Sequence, residues 1–322
     1  MSCSRCQKLP KLIFLTSDVY ISLPTNHHID IFEKKLNDSN YIFEKVEEGY
    51  LIRRVDFEEC ISFLSTTVFN SVEKRDVRIL PLENGSALSF SSLKHYRSLQ
   101  EWETMHEGQE VSSIINEGRI KTLFQPIVQA KTGEIYGYEA LSRGILKDGS
   151  IMNPSKLFSS AKAMDLMFNL DRICRESAIR AASKQGIRKK LFINFIPTAI
   201  YEPSLCLKST ARVLGEVNMD ADQIVFEVVE TEKVEDFVHL NRILDYYRDK
   251  GYSTALDDIG SGYSDISALL KLKPVYMKID IDIIGAFHLN SKNQKQLDEY
   301  IRSGKEIGLT ILAEGVEKVE EY

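Results

Sequence analysis

The sequence predicts an α/β protein: a (β/α) barrel preceded by a small α+β domain. Two observations predict it. From Leu123 onward, short apolar runs alternate with amphipathic helix-length segments, the pattern of a parallel sheet closed by helices. Before residue 86 the order of elements reads β-α-β-β-α-β, that of a ferredoxin-like sandwich.

Residues 1–10 read as a flexible tail. Cys3-Ser-Arg-Cys6 has the spacing of half a zinc site, which His27, His28 or Cys60 could complete, but a second Cys-x-x-Cys is missing. A reduced tail is the plainer reading, and five scattered cysteines do not make a disulfide framework. In the small domain, 11–85, Lys11 to Leu23 looks like a strand and Ile29 to Leu36 has helical spacing. Tyr41 to Val46 and Tyr50 to Val55 form a hairpin around Glu47-Glu48-Gly49, Phe57 to Phe69 is helical, and Val77 to Leu80 closes the set. With no catalytic constellation inside it, this domain reads as regulatory or dimerising. Residues 86–118, Ser-rich and then polar with Trp102, read as a helical linker.

The barrel strands are predicted at Leu123 to Val128, Ile135 to Leu141, Leu191 to Phe195, Ile224 to Val229, Tyr252 to Leu256, Val275 to Ile279 and Thr310 to Ala313. Asp171 to Lys184, Ser204 to Val217, Val234 to Lys250 and Gln294 to Ile307 supply helices between them. Only Gln129 to Glu134 joins the first two strands, so these are expected to be an antiparallel hairpin.

Nearly every apolar strand carries a polar residue at or near its carboxyl end: Glu139, Asn194, Glu227, Asp257-Asp258, Lys278 and Glu314. A charge within such a run costs several kcal/mol unless it is paired or metal-bound. An isolated Asp-Asp is more simply a turn cap, but the repetition over successive strands favours convergence on the face where barrel active sites lie. The donors are oxygens, which suit Mg2+ or Mn2+, and their combined negative charge offsets about two such ions. Two cations clamp a phosphoryl displacement, and Lys278 and Arg143 add positive charge suited to phosphate oxygens or water.

Composition excludes other classes. Forty-one basic against 47 acidic residues give a net charge of −6, which argues against a nucleic-acid polymer as partner. No run reaches the length of a membrane span and no signal core opens the chain, so a cytoplasmic protein is expected. Gly260-Ser261-Gly262 lacks the Gly-Lys-Ser/Thr of a phosphate-binding loop. No G-x-S-x-G elbow is present, and no histidine falls at a strand end.

These residues carry a family resemblance. From about Leu123 onward the sequence resembles the EAL-domain phosphodiesterases, which hydrolyse cyclic di-GMP to linear pGpG. The likeness rests on Gln125-Pro126-Ile127, Glu139-Ala140-Leu141 with Arg143, Asn194, Glu227 to Glu230, Asp257-Asp258-Ile259-Gly260-Ser261-Gly262-Tyr263-Ser264, Lys278-Ile279-Asp280 and Ala313-Glu314-Gly315-Val316-Glu317. The resemblance implies an EAL-type barrel over 119–322 with a two-metal site for Mg2+ or Mn2+. Glu139, Asn194, Glu227 and Asp257 would hold one ion, and Asp257 with Asp258 the other. Lys278 and Glu314 would activate water, with Glu139 counted among the catalytic groups. Arg143 would contact a substrate phosphate, Gln125 and Leu141 would line the nucleotide site, and Glu230 would anchor the loop after Asp258. A homodimer is implied too. A non-hydrolysing cyclic di-GMP receptor is the alternative. Ile259 and Ser261 stand where the family usually has Phe and Thr. Family members continue past the Ala-Glu-Gly-Val-Glu segment with a further strand and helices, so the barrel is expected to be incomplete at its C-terminal side.

Overall fold

The computed structural model describes residues 16–24, 29–47, 49–86, 88–200, 202–228, 237–260, 266–285 and 291–319. They divide into two compact units, one from residues up to Ser113 together with Phe158–Leu166, the other from Ile114–Leu157 and Met167 onward.

The first unit contains β1 (Thr16–Ser22), α1 (Ile29–Asp38), β2 (Phe43–Val46), β3 (Gly49–Asp56), α2 (Phe57–Phe63), α3 (Glu73–Asp76), β4 (Arg78–Leu82), β5 (Arg97–Ser98) and α4 (Leu99–Glu107), and the start of α5 (Gln109–Glu117). The sheet order is β2-β3-β1-β4-β5, every pair antiparallel. Its first four strands have the ferredoxin-like arrangement expected from their order along the chain. Asp56 starts α2 by accepting the Glu59 N–H at 3.0 Å. One helical turn beyond α2, Leu64–Val68, closes with π geometry, so the expected helix to Phe69 is split.

Residues 86–118, read as a helical linker, hold a short 3-10 turn, the added strand β5 and the two helices α4 and α5. Leu99, Trp102 and Met105 of α4 pack into the core of this unit with Phe32, Phe57 and Ile79. The Trp102 indole donates to the Ile79 carbonyl at 3.2 Å, which satisfies its one polar atom inside that core. Cys60 sits in the same core, 0% exposed, and burial pushes its thiol up to about 12. A thiol so reluctant to ionise is a poor completing ligand for zinc. The other zinc candidates, Cys3, Cys6, His27 and His28, lie outside the described residues.

The second unit runs through β6 (Ile120–Val128), β7 (Ile135–Ile145), β8 (Ile151–Met152), α6 (Pro154–Ala163, shared between units), α7 (Met167–Lys184), β9 (Lys190–Phe195), α8 (Pro203–Cys206), α9 (Lys208–Val217), β10 (Ile224–Val228), α10 (Phe237–Asp249), β11 (Ser253–Ile259), α11 (Ile266–Leu272), β12 (Tyr276–Ile279), α12 (Ile281–Ile284), α13 (Ser291–Glu306) and β13 (Thr310–Ala313). Its sheet order is β13-β12-β11-β10-β9-β7-β6, with β8 added beside β7. As expected, β6 and β7 form an antiparallel hairpin, while β7 through β13 pair in parallel along the main path. No pairing closes β13 onto β6 among the described residues.

Period-two alternation sorts the strand residues between two faces. Leu191, Ile193, Phe195, Phe226 and Val228 face the helices and join a large core with Ile179, Val213, Leu244 and Tyr247. Phe226 stacks on Tyr247 with ring centroids 4.1 Å apart. Phe192, Val225, Ala255, Tyr276 and Leu312 form a separate apolar cluster on the opposite face. That cluster is the floor on which the candidate site stands.

Candidate functional site

Strand register builds the site. Asn194 lies opposite Glu227 across β9 and β10, and both are two residues beyond the floor pair Phe192 and Val225. Asp257 follows Ala255 by the same step, Lys278 follows Tyr276, and Glu314 follows Leu312. Residues two apart on a strand share a face, so these polar groups form a second layer directly above the apolar one. Glu139 is paired with Phe192 in register and reaches the same place from β7.

Lys278 is at the centre, 2% exposed. Its Nζ lies 2.6 Å from Glu314 Oε1, 3.0 Å from both Glu227 Oε1 and Asp257 Oδ1, and 3.6 Å from Glu139 Oε2. The Asn194 amide donates to Glu139 Oε1 at 3.3 Å. Hence five of the expected site residues gather around one ammonium. One positive charge among four carboxylates leaves the group short of cations. Burial pulls the Lys278 ammonium down, but Glu227, Asp257, Glu139 and Glu314 outweigh it and hold the group well above the usual lysine range. Burial raises Glu227 strongly, and the charges of Glu139 and Asp257 add to this against the opposing pull of Lys278. Burial also raises Glu314 to about 7, helped by Asp257.

Asp257 and Asp258 would point to opposite faces in a regular strand. They do not, because β11 slips register against β12 between Leu256 and Ile259, and Asp258 has φ of 54°. The bulge and left-handed turn break the alternation, and Asp257, Asp258 and Glu314 each bring a carboxylate oxygen within 4.8 Å of the others. The Asp258 N–H donates back to Asp257 Oδ1 at 3.0 Å. Gly260 follows at φ of 110°, with no room for a Cβ, which would come 2.6 Å from Ile283. Burial, then Asp257 and Asp280, raise the Asp258 carboxyl to about 6.

The donor set fits a hard divalent cation. Buried Asn194 Oδ1 and Glu227 Oε2 have no hydrogen-bond partner among the described residues, and the three-carboxylate group stands next to them. Metal binding there must expel protons held by Glu314 and Asp258. Mn2+ affinity is therefore expected to fall steadily from about pH 8 to about pH 6, with proton uptake by buffer on binding near pH 6.5, measured by calorimetry in two buffers. In the metal-free protein the sign for stability is opposite. Both carboxyls hold protons more tightly folded than unfolded. Their contribution is full below the ordinary carboxylate range and is lost as pH rises through about 6 to 7. Glu314→Gln should accordingly flatten the metal-free loss of melting temperature between those pH values.

Gln125 pairs directly with Glu139 across the hairpin, so both lie on one face with Leu141 and Arg143, two and four residues on. Gln125 is exposed; Leu141 and Arg143 are half-buried. The Arg143 guanidinium donates to the Ser142 carbonyl at 2.9 Å. These three make a ledge leading away from Glu227, Asp257 and Glu314, with no hydrogen bond or ion pair to the carboxylates among the described residues. Glu230 lies outside the described residues, as do 261–265 of the loop after Asp258. Asp280, which caps α12 and helps raise Asp258, had no role assigned from sequence, although it stands two residues after Lys278 in the same motif.

An acidic centre at the carboxyl ends of parallel strands is placed where (β/α) barrel folds carry their sites. The particular family follows from comparison. The family model described as EAL domain matches residues 109–322, and the chain belongs to that family. It is 29% identical over 220 residues to the probable cyclic di-GMP phosphodiesterase PdeG of Escherichia coli, a match covering 64% of this chain and 41% of PdeG. Against the cyclic di-GMP phosphodiesterase NbdA of Pseudomonas aeruginosa it is 23% identical, covering 65% of this chain and 27% of NbdA. The chain thus spans well under half the length of these curated relatives. Among solved structures, a standalone EAL protein of Vibrio cholerae in a c-di-GMP-bound form is 36% identical with a TM-score of 0.57, covering 63% of this chain and 83% of that one. BlrP1 of Klebsiella pneumoniae, a manganese and cy-diGMP complex, is 20% identical with a TM-score of 0.56, and covers 95% of this chain and 91% of its own.

Proposed function

We propose that this chain is a metal-dependent phosphodiesterase that hydrolyses cyclic di-GMP to linear pGpG. The observation that carries the reading is the gathering of Glu139, Asn194, Glu227, Asp257, Lys278 and Glu314 around one point, with Asp258 turned inward by a bulge. Relatives named as cyclic di-GMP phosphodiesterases and a 36%-identical protein in a c-di-GMP-bound form support the substrate.

In this reading Glu139, Asn194, Glu227 and Asp257 hold one Mg2+ or Mn2+, and Asp257 and Asp258 hold a second. Bound there, the ions supply Lewis acidity to a phosphate oxygen and ease the ionisation of water. The chain does the positioning. Lys278 Nζ orients the attacking water, and Glu314 Oε1, 2.6 Å away, is placed to take its proton. Water adds to phosphorus, one ester P–O bond breaks, and the released sugar hydroxyl takes up a proton. Arg143 grips a phosphate oxygen while Gln125 and Leu141 seat the nucleotide on the ledge. Glu230 anchors the loop after Asp258. The N-terminal unit regulates a cytoplasmic homodimer.

The test is incubation of the purified chain with cyclic di-GMP and Mn2+ or Mg2+, with products separated by chromatography. Metal-dependent appearance of pGpG is expected; binding without turnover would make the protein a cyclic di-GMP receptor instead. Arg143→Ala is expected to raise KM by about 10- to 100-fold, the worth of a hydrogen bond to a charged group, with a smaller change in kcat.

A further inference from the structure

Behind the carboxylate layer, on the helix side of the sheet, α7 carries a buried ion pair that the proposed chemistry does not use. Asp171 is 3% exposed and Arg175 is 0% exposed. They are one helical turn apart and so share a face of α7. Arg175 Nε donates to Asp171 Oδ2 at 2.9 Å, and Nη2 lies 2.9 Å from the same oxygen. Arg175 Nη1 donates to Thr210 Oγ1 on α9. The other carboxylate oxygen, Asp171 Oδ1, accepts the backbone N–H of Ile196 at 3.1 Å.

That last bond gives the pair a purpose. The parallel ladder between β9 and β10 ends at Phe195 and Val228, so the Ile196 N–H lies one residue beyond the last rung. Ile196 is two residues past Asn194. The same helix packs against β7 as well as β9, so it touches two strands that feed the site. A buried ion pair is weak evidence for stability, since apolar residues of similar volume serve as well or better. Its use here is directional: a carboxylate held at a fixed place accepts from a backbone group that the sheet has released.

We propose that Asp171 and Arg175 are a positioning pair for Asn194. Asp171 fixes the Ile196 amide, and with it the end of β9 that aims Asn194 at Glu139 and Glu227; Arg175, braced by Thr210, fixes Asp171. The inference rests on the metal-binding reading of the site.

Two double variants isolate the acceptor. Asp171→Asn with Arg175→Met removes both charges but keeps a side-chain oxygen for the Ile196 N–H, whereas Asp171→Leu with Arg175→Met removes that oxygen too. Titration with Mn2+ alone should give near wild-type affinity for the Asn variant and affinity lower by about 10- to 100-fold for the Leu variant, the usual loss when a metal ligand's support is removed. Equal affinities in the two variants, whether strong or weak, overturn the proposal. If the Leu variant does not fold, amide exchange in the unaltered chain decides. Coupling is reciprocal, so Mn2+ must slow exchange at Ile196, and no slowing overturns the proposal. If the unaltered chain binds no Mn2+, the metal-binding reading falls and takes the pair's role with it. Binding by the unaltered chain with equal variants removes the pair's role alone.

Discussion

Asp257→Asn is expected to lower cyclic di-GMP hydrolysis by ~10³-fold or more, the several kcal/mol that a clamped divalent ion supplies to a phosphoryl transfer. In the proposed centre Asp257 is the ligand assigned to both cations. Asp257 Oδ1 is 3.0 Å from Lys278 Nζ and also accepts the Asp258 N–H, while the carboxylate lies within the triplet formed with Asp258 and Glu314. Asparagine keeps the volume and one acceptor oxygen, so the bulge at Asp258 retains its hydrogen bond and the variant should fold. It loses the charge by which, in the proposed site, one carboxylate would serve two cations. Mn2+ titration should show weakened binding in parallel, and circular dichroism should match the unaltered chain. Turnover within tenfold of the unaltered chain would place the metal centre elsewhere.

The barrel's strand ends were legible because each polar residue interrupts an apolar run, and barrel folds carry their sites at the carboxyl ends of their strands. The antiparallel start was legible because Gln129 to Glu134 is too short for a crossover. What was hidden depends on tertiary contact. A regular strand through Asp258 would send Asp257 and Asp258 in opposite directions. The bulge that turns both to one side comes from the slipped register with β12 and the positive φ of Asp258. Asp171 read as the start of an amphipathic helix, where a charge is ordinarily solvated; only the arrival of the Ile196 N–H and of Thr210 explains its burial. In the N-terminal unit, strand order followed from hydrophobic periodicity. The two-residue strand β5 is too short to carry any period, and without it α4 looked like a linker instead of a helix packing Trp102 into that core.

Lys278→Met brings the same electrostatics to bear on the fold itself. Lys278 is the cation shared by four carboxylates, one of which, Glu227, is 0% exposed. Methionine fills most of the lysine's volume, so the loss is of charge, and removing one partner of a buried ionic group costs about 3–5 kcal/mol. In the metal-free protein at about pH 7.5 the melting temperature of the barrel unit should fall by about 10 °C. Two treatments should return much of it for different reasons. Acidification towards about pH 5.5 protonates the carboxyls that burial already holds high, Glu227, Glu314 and Asp258, and an uncharged carboxyl needs no counter-ion. Mn2+ supplies the missing positive charge directly, so it should raise the melting temperature more in the variant than in the unaltered chain. Neither treatment restores the ammonium that the proposed mechanism uses to orient water, so hydrolysis is expected to stay lost under both. A metal-free melting temperature unchanged by the substitution would mean that the carboxylate layer is neutralised without Lys278, and the charge balance argued for the site would be wrong.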